Sequence, residues 1–153
     1  VYVSNTMDRI RILFICIHNS ARSQMAEAFM NRYAGDIAEA MRAGLEPGAL
    51  NPDAVEVMRE AGIDISRNAV KSAFDLYKQS MMFSCVIAVC DPEAAERCPL
   101  FPGVAKTLHW PFADPSAFTG TREEVLEKTR KVRDEIEAKV REFAAELRTM
   151  YPA

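Results

Sequence analysis

The sequence has few of the residues that mark metal-binding, disulfide-stabilised or membrane-spanning proteins. Only two histidines, His18 and His109, and four cysteines occur in 153 residues. The cysteine spacing does not match that of a zinc site, and two histidines are too few to complete one. No apolar run approaches the roughly 18 residues that a membrane-spanning helix needs. We therefore expect neither a bound metal, nor a resident cofactor, nor a membrane span.

Charge of one sign is also not concentrated anywhere in the chain. The 19 basic and 22 acidic residues are scattered and give a net charge of −3, so a nucleic-acid-binding surface is not expected. The first residues lack the basic region, apolar stretch and small-residue cleavage site of a secretory signal. This predicts a cytoplasmic protein whose cysteines rest as thiols.

Alternating apolar runs and amphipathic segments predict the fold class. We expect an α/β fold, a three-layer sandwich with a central, mostly parallel four-stranded sheet. Residues 1–153 are expected to form one domain, with residues 1–8 as a flexible N-terminal extension. Ser23 is expected to cap the first helix. The predicted strands are 11–16, 37–43, 83–90 and 104–110, and the predicted helices are 23–33, 52–62, 72–79 and 121–149.

Between the first strand and the first helix lies the segment CIHNSARS, residues 16–23, which contains no glycine. A strand-to-helix turn can direct backbone N–H groups and a helix N-terminus at one point and so bind an anion. The planar guanidinium of Arg22 suits two oxygens of a tetrahedral oxyanion. Asn19 tolerates the left-handed backbone that such a turn requires. The predicted oxyanion-binding residues are Ile17, His18, Asn19, Ser20, Ala21, Arg22 and Ser23.

Cys16 is the candidate nucleophile in this segment. The positive field of the turn favours a thiolate, and Ser20 and Ser23 are expected to donate hydroxyl protons to it. The alternative is that Cys16 is a buried residue at the end of a strand and Arg22 a surface charge. Spacing alone does not decide between the two.

Asp114 is the candidate general acid. A thiolate that attacks an oxyanion expels an oxygen, and a nearby acid makes this expulsion easier by protonating that oxygen. Pro115 stiffens the backbone after Asp114 in the loop FADPS. Asp-Pro is also an ordinary turn dipeptide, so the residues alone leave a purely structural role open.

Of two further cysteines, Cys90 ends the most β-like segment of the chain and Cys98 lies eight residues further on. A helix between them would separate their Cα atoms by about 12 Å, whereas a disulfide needs roughly 4.4 to 6.8 Å. They can therefore pair only if the intervening segment is looped or unwinds. The alternative is that both are small apolar core residues, the role that we expect for Cys85.

The segment CIHNSARSQMAEAF resembles the active-site segment of arsenate reductases of the low-molecular-weight protein tyrosine phosphatase fold. The resemblance continues through AGLEPGALNPDAVEVMREAGIDIS, VIAVCDPEAAERCP and LHWPFADPSAFTG, and so covers about residues 10–140. Arg42 departs from the pattern, because many members of the family carry serine before AG.

The resemblance implies a catalytic set of Cys16, Arg22, Cys90, Cys98 and Asp114. In that family arsenate is the substrate, and phosphate and sulfate compete as oxyanions. Cys16 would be the nucleophile, Arg22 the oxyanion ligand and Asp114 the acid. Cys90 and Cys98 would form a redox-active disulfide that thioredoxin reduces.

Two other functions compete with arsenate reduction. A tyrosine phosphatase could use the same loop to hydrolyse phosphomonoesters through a phospho-cysteine, with water in place of a second thiol. Phosphatases of this fold usually carry aromatic residues just after Asp-Pro, whereas this chain has SAF, with Phe118 three residues beyond Pro115. A non-catalytic oxyanion or redox sensor is the second alternative, and it does not need the acid.

Overall fold

A computed structural model describes residues 9–150 of the chain. The predicted N-terminal extension, residues 1–8, lies outside the described residues. The strands are β1 (Ile10–Cys16), β2 (Ala38–Gly44), β3 (Cys85–Ala88) and β4 (Lys106–His109). The helices are α1 (Arg22–Ala34), α2 (Pro52–Glu60), α3 (Ala73–Lys78), α4 (Pro92–Ala95) and α5 (Arg122–Met150), with a short 3₁₀ helix at Pro115–Ala117.

The four strands form one parallel sheet in the order β2-β1-β3-β4, which confirms the predicted α/β fold class. In this register Cys16 lies beside Gly44, and Ile15 beside Ala88. Because all four strands run the same way, the segments that follow β1, β3 and β4 meet at one edge of the sheet. Ligands bind at this edge in open parallel sheets.

Helix α5 has one apolar stripe along its 29 residues. It packs against α1 and α2. Burial of each large aliphatic side chain contributes about 1.5 to 3 kcal/mol, which explains why so charged a helix is held on the domain. No helix within residues 9–150 has the length and apolar character needed to cross a membrane. The buried apolar residues of the stripe are Leu126, Val132, Ile136, Val140, Phe143, Ala144 and Leu147.

An aromatic cluster supports the loop that follows β4. The Trp110 ring lies 5.8 Å from that of Phe14 in β1 and 5.3 Å from that of Phe143 in α5. Trp110 N donates a hydrogen bond to Ala88 O in β3 at 2.8 Å. The beginning of this loop is therefore fixed by both the sheet and α5.

The predicted third strand is longer than the observed one. Only Cys85–Ala88 pair with β4, whose own length is four residues, although Val89 N still donates to Ile15 O at 2.8 Å. Cys90 therefore lies two residues beyond the strand, at the sheet edge. The short helix α4 that follows was not predicted, because four residues give too little periodicity to detect.

The prediction that Ser23 caps α1 is wrong. The helix begins one residue earlier, at Arg22, and its N-cap position is Ala21, whose side chain makes no capping hydrogen bond. Ser23 lies inside the first turn, with its hydroxyl turned toward Cys16. Its oxygen is thus used at the sheet edge rather than by the helix backbone.

Candidate active site

Cys16 ends β1 and is only 2% exposed, and two donors face its sulfur. The Ser23 hydroxyl lies 3.0 Å from Cys16 Sγ, and the backbone N–H of Asn19 donates to the sulfur at 3.2 Å. Ser23 Oγ accepts a hydrogen bond from Asn19 Nδ2 at 2.6 Å, which leaves the serine proton for the sulfur. Both donors stabilise a negative charge on Cys16.

The anion loop, residues 17–23, contains a left-handed residue at the predicted position. Asn19 has φ of 55° and is fully buried. Its Oδ1 accepts from Lys71 N at 2.8 Å, and its carbonyl accepts from Gln24 Nε2 at 3.0 Å. Asparagine is one of the few residues that adopt this conformation without large strain, so the loop turns without glycine.

Ser20 does not take the predicted position at the nucleophile. Among residues 9–150, the hydrogen bonds to Cys16 Sγ come from Asn19 and Ser23. Ser20 instead offers its carbonyl, which accepts from Asn51 N at 2.9 Å. Its contact is with the segment before α2.

Arg22 is not a surface charge, since it is only 4% exposed. Its Nη1 donates to Phe112 O at 3.2 Å, and its Nη2 lies 3.6 Å from Asp114 Oδ2. The guanidinium therefore lies between the anion loop and the loop after β4. A buried cation at the start of a helix, six residues after a thiol, can bind an anion there.

Asp114 lies in a turn and also faces Arg22, so its position is compatible with both roles that the sequence leaves open. Its Oδ1 accepts from Ser116 N at 3.0 Å and so begins the 3₁₀ helix, as a turn aspartate does. Its Oδ2 faces Arg22 at the sheet edge. The turn places the carboxyl beside the residue expected to bind the oxyanion.

Cys90 is fully buried and lies within electrostatic reach of Cys16. The pKa of the Cys90 thiol is raised to about 11, chiefly by burial; the charge of Cys16 also raises it, and that of Arg22 lowers it. Burial also raises the pKa of Cys98 to about 11, with a smaller effect from Cys90. Cys16, Cys90, Cys98 and Cys85 are all free thiols.

The segment from Cys90 to Cys98 is looped rather than continuously helical. Helix α4 covers only Pro92–Ala95, and Cys98 N donates to Ala95 O at 3.2 Å in a following turn. Arg97 in this segment forms an ion pair of 2.5 Å with Glu46. Glu46 N donates to Ile17 O at 2.7 Å, so the ion pair connects the segment to the anion loop.

Cys98 is the more accessible of these two thiols. A cavity of about 250 Å³ opens beside it. Leu100 at the rim of this cavity is 91% exposed, an unusual exposure for leucine. The cavity is lined by Val86, Ala95, Glu96, Cys98, Pro99, Leu100, Phe101, Val104 and Thr107.

Gly44 supports the anion loop and was not predicted. A Cβ at this position would lie 2.7 Å from Asn19 N and 2.8 Å from Ile17 O, both backbone atoms. Any side chain would therefore displace the turn beside Cys16. The signal that could have identified Gly44 is the parallel pairing of β1 with β2, which places residue 44 next to residue 16.

Arg42 and Glu27 form a buried ion pair behind the loop. Arg42 Nη1 lies 2.8 and 2.9 Å from the two Glu27 oxygens, and its Nη2 donates to Ala69 O at 2.8 Å. Burial raises the pKa of Glu27, and Arg42 opposes that rise. Arg42, which departs from the family pattern, therefore anchors the segment that contains Ala69 and Lys71. The N–H of Lys71 in turn holds the side chain of Asn19.

The site residues do not form a metal centre. Within residues 9–150, no group of three or more His, Cys, Asp or Glu side chains is placed to hold a metal ion. The sheet edge instead presents a thiol, a buried guanidinium, a carboxyl group and two further thiols. Such a set can bind a tetrahedral oxyanion and perform nucleophilic and thiol-exchange chemistry.

Known proteins and a family model match this protein over almost the whole chain. The family model for low molecular weight phosphotyrosine protein phosphatases matches residues 11–152. An arsenate reductase of Shouchella clausii is 42% identical over 140 residues, 90% of this chain and 97% of that protein. A solved structure of an arsenate reductase in the oxidized state covers 89% of this chain and 97% of its own, with 26% identity and a TM-score of 0.74. A solved structure of an arsenate reductase in the phosphate binding state covers 90% of this chain and 98% of its own, with 27% identity and a TM-score of 0.73.

Proposed function

This chain belongs to the low-molecular-weight phosphotyrosine protein phosphatase family, and we propose that its site reduces arsenate to arsenite. The observation that carries the proposal is that Cys16 ends β1, and that the free thiols of Cys90 and Cys98 lie in the segment that follows the parallel neighbouring strand β3. Hydrolysis needs one nucleophilic thiol and water. Reduction of As(V) to As(III) needs two electrons, which two thiols supply when they form a disulfide.

In the first step the Cys16 thiolate attacks arsenate. An S–As bond forms, and one As–O bond breaks. Arg22 and the N–H groups of the anion loop hold the remaining oxygens, and Asp114 gives its proton to the departing oxygen, which leaves as water. Ser23 and Asn19 stabilise the thiolate before the attack.

In the second step Cys90, as a thiolate, attacks the sulfur of Cys16. The S–As bond breaks, its electron pair stays on arsenic, and arsenite leaves. A Cys16–Cys90 disulfide remains, so two sulfurs have been oxidised and one arsenic reduced. The pairing of β1 with β3 supports attack by Cys90, because it places side by side the end of β1, at Cys16, and the end of β3, which Cys90 follows.

In the third step Cys98 attacks Cys90 and frees Cys16 as a thiolate. The new Cys90–Cys98 disulfide lies in the looped segment, where Cys98 borders the cavity. We propose thioredoxin as the dithiol that reduces this disulfide and is itself oxidised. A cytoplasmic location would suit this reductant and remains a prediction.

The rate of the second step is expected to depend steeply on pH. With the Cys90 pKa at about 11, only about 10⁻⁴ of the thiol is ionised at pH 7, and this fraction rises about tenfold per pH unit below the pKa. Single-turnover arsenite release should therefore rise about tenfold between pH 7 and pH 8 when this step limits it. Rapid-quench measurement checks this, and a rate that is flat over this range would show that ionisation of Cys90 does not limit arsenite release.

Asp114→Asn is expected to slow adduct formation about 100-fold, because asparagine retains the turn but has no proton to give to the leaving oxygen. The measurement is single-turnover arsenite formation with excess arsenate. Asp134→Asn is the matched control, an exposed carboxylate on α5 away from the sheet edge. Equal rates in Asp114→Asn and wild type would assign the acid to another group.

The function is tested by NADPH oxidation in the presence of arsenate, thioredoxin and thioredoxin reductase. We expect arsenate-dependent oxidation that is lost in Cys90→Ser. Hydrolysis of p-nitrophenyl phosphate is measured in parallel, because the anion loop also suits phosphate. Hydrolysis that survives Cys90→Ser, without arsenate-dependent oxidation in the wild type, would favour the phosphatase function instead.

A further inference from the structure

Asn51 connects three segments of the active site. It is only 9% exposed, and its backbone N–H donates to Ser20 O in the anion loop at 2.9 Å. Its Oδ1 accepts from the N–H groups of Asp53 and Ala54, at 2.7 and 3.2 Å, and so caps α2. Its Nδ2 donates to Ser116 Oγ at 3.0 Å. The backbone N–H, Oδ1 and Nδ2 of Asn51 are thus bonded to three different segments.

The bond to Ser116 acts on the loop that carries the acid. Ser116 N donates to Asp114 Oδ1 at 3.0 Å, and Asp114 Oδ2 faces Arg22 at 3.6 Å. Ser116 itself is exposed, so without Asn51 its side chain would contact mainly solvent. The loop after β4 is therefore attached to the anion loop at two points, through Arg22 and through Asn51.

We propose that Asn51 is a positioning residue that fixes the loop of Asp114 against the anion loop through its side-chain amide and Ser116. The inference rests on the proposed role of Asp114 as the acid. The hydrogen bonds that cap α2 and the bond to Ser20 O hold Asn51 in place. Asn51 can therefore fix the position of the Asp114 loop relative to the anion loop. A carboxyl group misplaced by about 1 Å transfers a proton much less efficiently.

Two variants remove this bond from opposite sides. Asn51→Asp keeps the oxygen that caps α2 and the backbone N–H, removes the donor to Ser116 and adds a negative charge, which the control variant below also adds. Ser116→Ala removes the acceptor without introducing a charge. Ser116→Thr retains a hydroxyl and is expected to restore the wild-type rate.

The measurement is the rate of Cys16 phosphorylation by two aryl phosphates. Phenol is a basic leaving group that needs the acid, whereas p-nitrophenol needs it much less. We expect Asn51→Asp and Ser116→Ala each to slow phenyl phosphate about fivefold or more, and p-nitrophenyl phosphate about twofold or less. The double variant should be no slower than the slower single variant, because both changes remove one bond.

Asn31→Asp is the matched control, since it deletes an amide donor to Ala40 O between α1 and β2. It should leave the ratio of the two rates unchanged. A purely structural role of Asn51 would lower both rates equally, and additive losses in the double variant would also overturn the proposal.

Failure of the proposed function is distinguishable from failure of this inference. If the wild type reduces no arsenate, the aryl phosphate ratio still reports on the acid loop. Hydrogen exchange of the Ser116 amide requires no turnover, and we expect it to be faster in Asn51→Asp. Unchanged exchange in that variant would contradict the proposal whichever reaction the enzyme catalyses.

Discussion

Cys16→Ser is expected to abolish arsenate reduction, with a loss of about 10⁴-fold or more. A serine hydroxyl at this position would keep its neighbours Ser23 and Asn19, but it is a far weaker nucleophile at neutral pH. It is also unable to form the disulfide that supplies the electrons. The measurement is arsenite produced per enzyme, in a single turnover and at steady state.

Two controls separate loss of chemistry from loss of structure. Inorganic phosphate should still bind to Cys16→Ser, because Arg22 and the loop amides remain. Cys85→Ala removes another buried thiol, at the start of β3, and is expected to retain turnover. Turnover of Cys16→Ser near the wild-type rate would exclude Cys16 as the nucleophile.

Cys98→Ser is expected to release arsenite once and then stop. Cys90 can still attack the adduct, so the first turnover should proceed at the wild-type rate, whereas steady-state reduction with thioredoxin should fall about 100-fold or more. The stalled enzyme should contain a Cys16–Cys90 disulfide, which mass spectrometry detects as a peptide cross-link. Cys90→Ser should stall earlier and release no arsenite by this route.

The comparison of these two variants distinguishes the roles of the later thiols. Wild-type steady-state turnover in Cys98→Ser would show that the reductant acts directly on the Cys16–Cys90 disulfide. A stalled Cys90→Ser enzyme that carries a Cys16–Cys98 cross-link would reverse the order of the two thiols. Either result would change the relay without changing the nucleophile.

The sequence predicted those parts of the fold that have a clear hydrophobic period. The stripe of α5 and the apolar run of β1 are long enough to be recognised without tertiary information. The predicted strand extends beyond the carboxyl end of β3 because Val89 and Cys90 are as apolar as the strand itself. Its end is set by the length of β4, which local composition does not reveal.

In the site, too, the features with a local sequence pattern could be predicted and those that depend on distant segments could not. The left-handed Asn19 and the position of Cys16 could be predicted because both depend on local backbone chemistry. Gly44, Gln24 and Asn51 act across contacts between distant segments, which no local pattern marks. Ser23 was assigned to both the helix cap and the thiolate because a serine before a helix suits either partner, and the structure shows only its contact with Cys16. The catalytic roles and the single-domain organisation remain predictions.

The glycine-free anion loop has a consequence for the thermodynamics of binding. Fixing the backbone of one residue costs about 1 to 2 kcal/mol in conformational entropy, and glycine loses the most freedom. In this loop Asn19 is already held by Lys71 and Gln24, and Ser20 by Asn51. Most of the ordering has therefore occurred during folding, so an arriving oxyanion meets N–H groups that are already aligned and loses little affinity to loop closure.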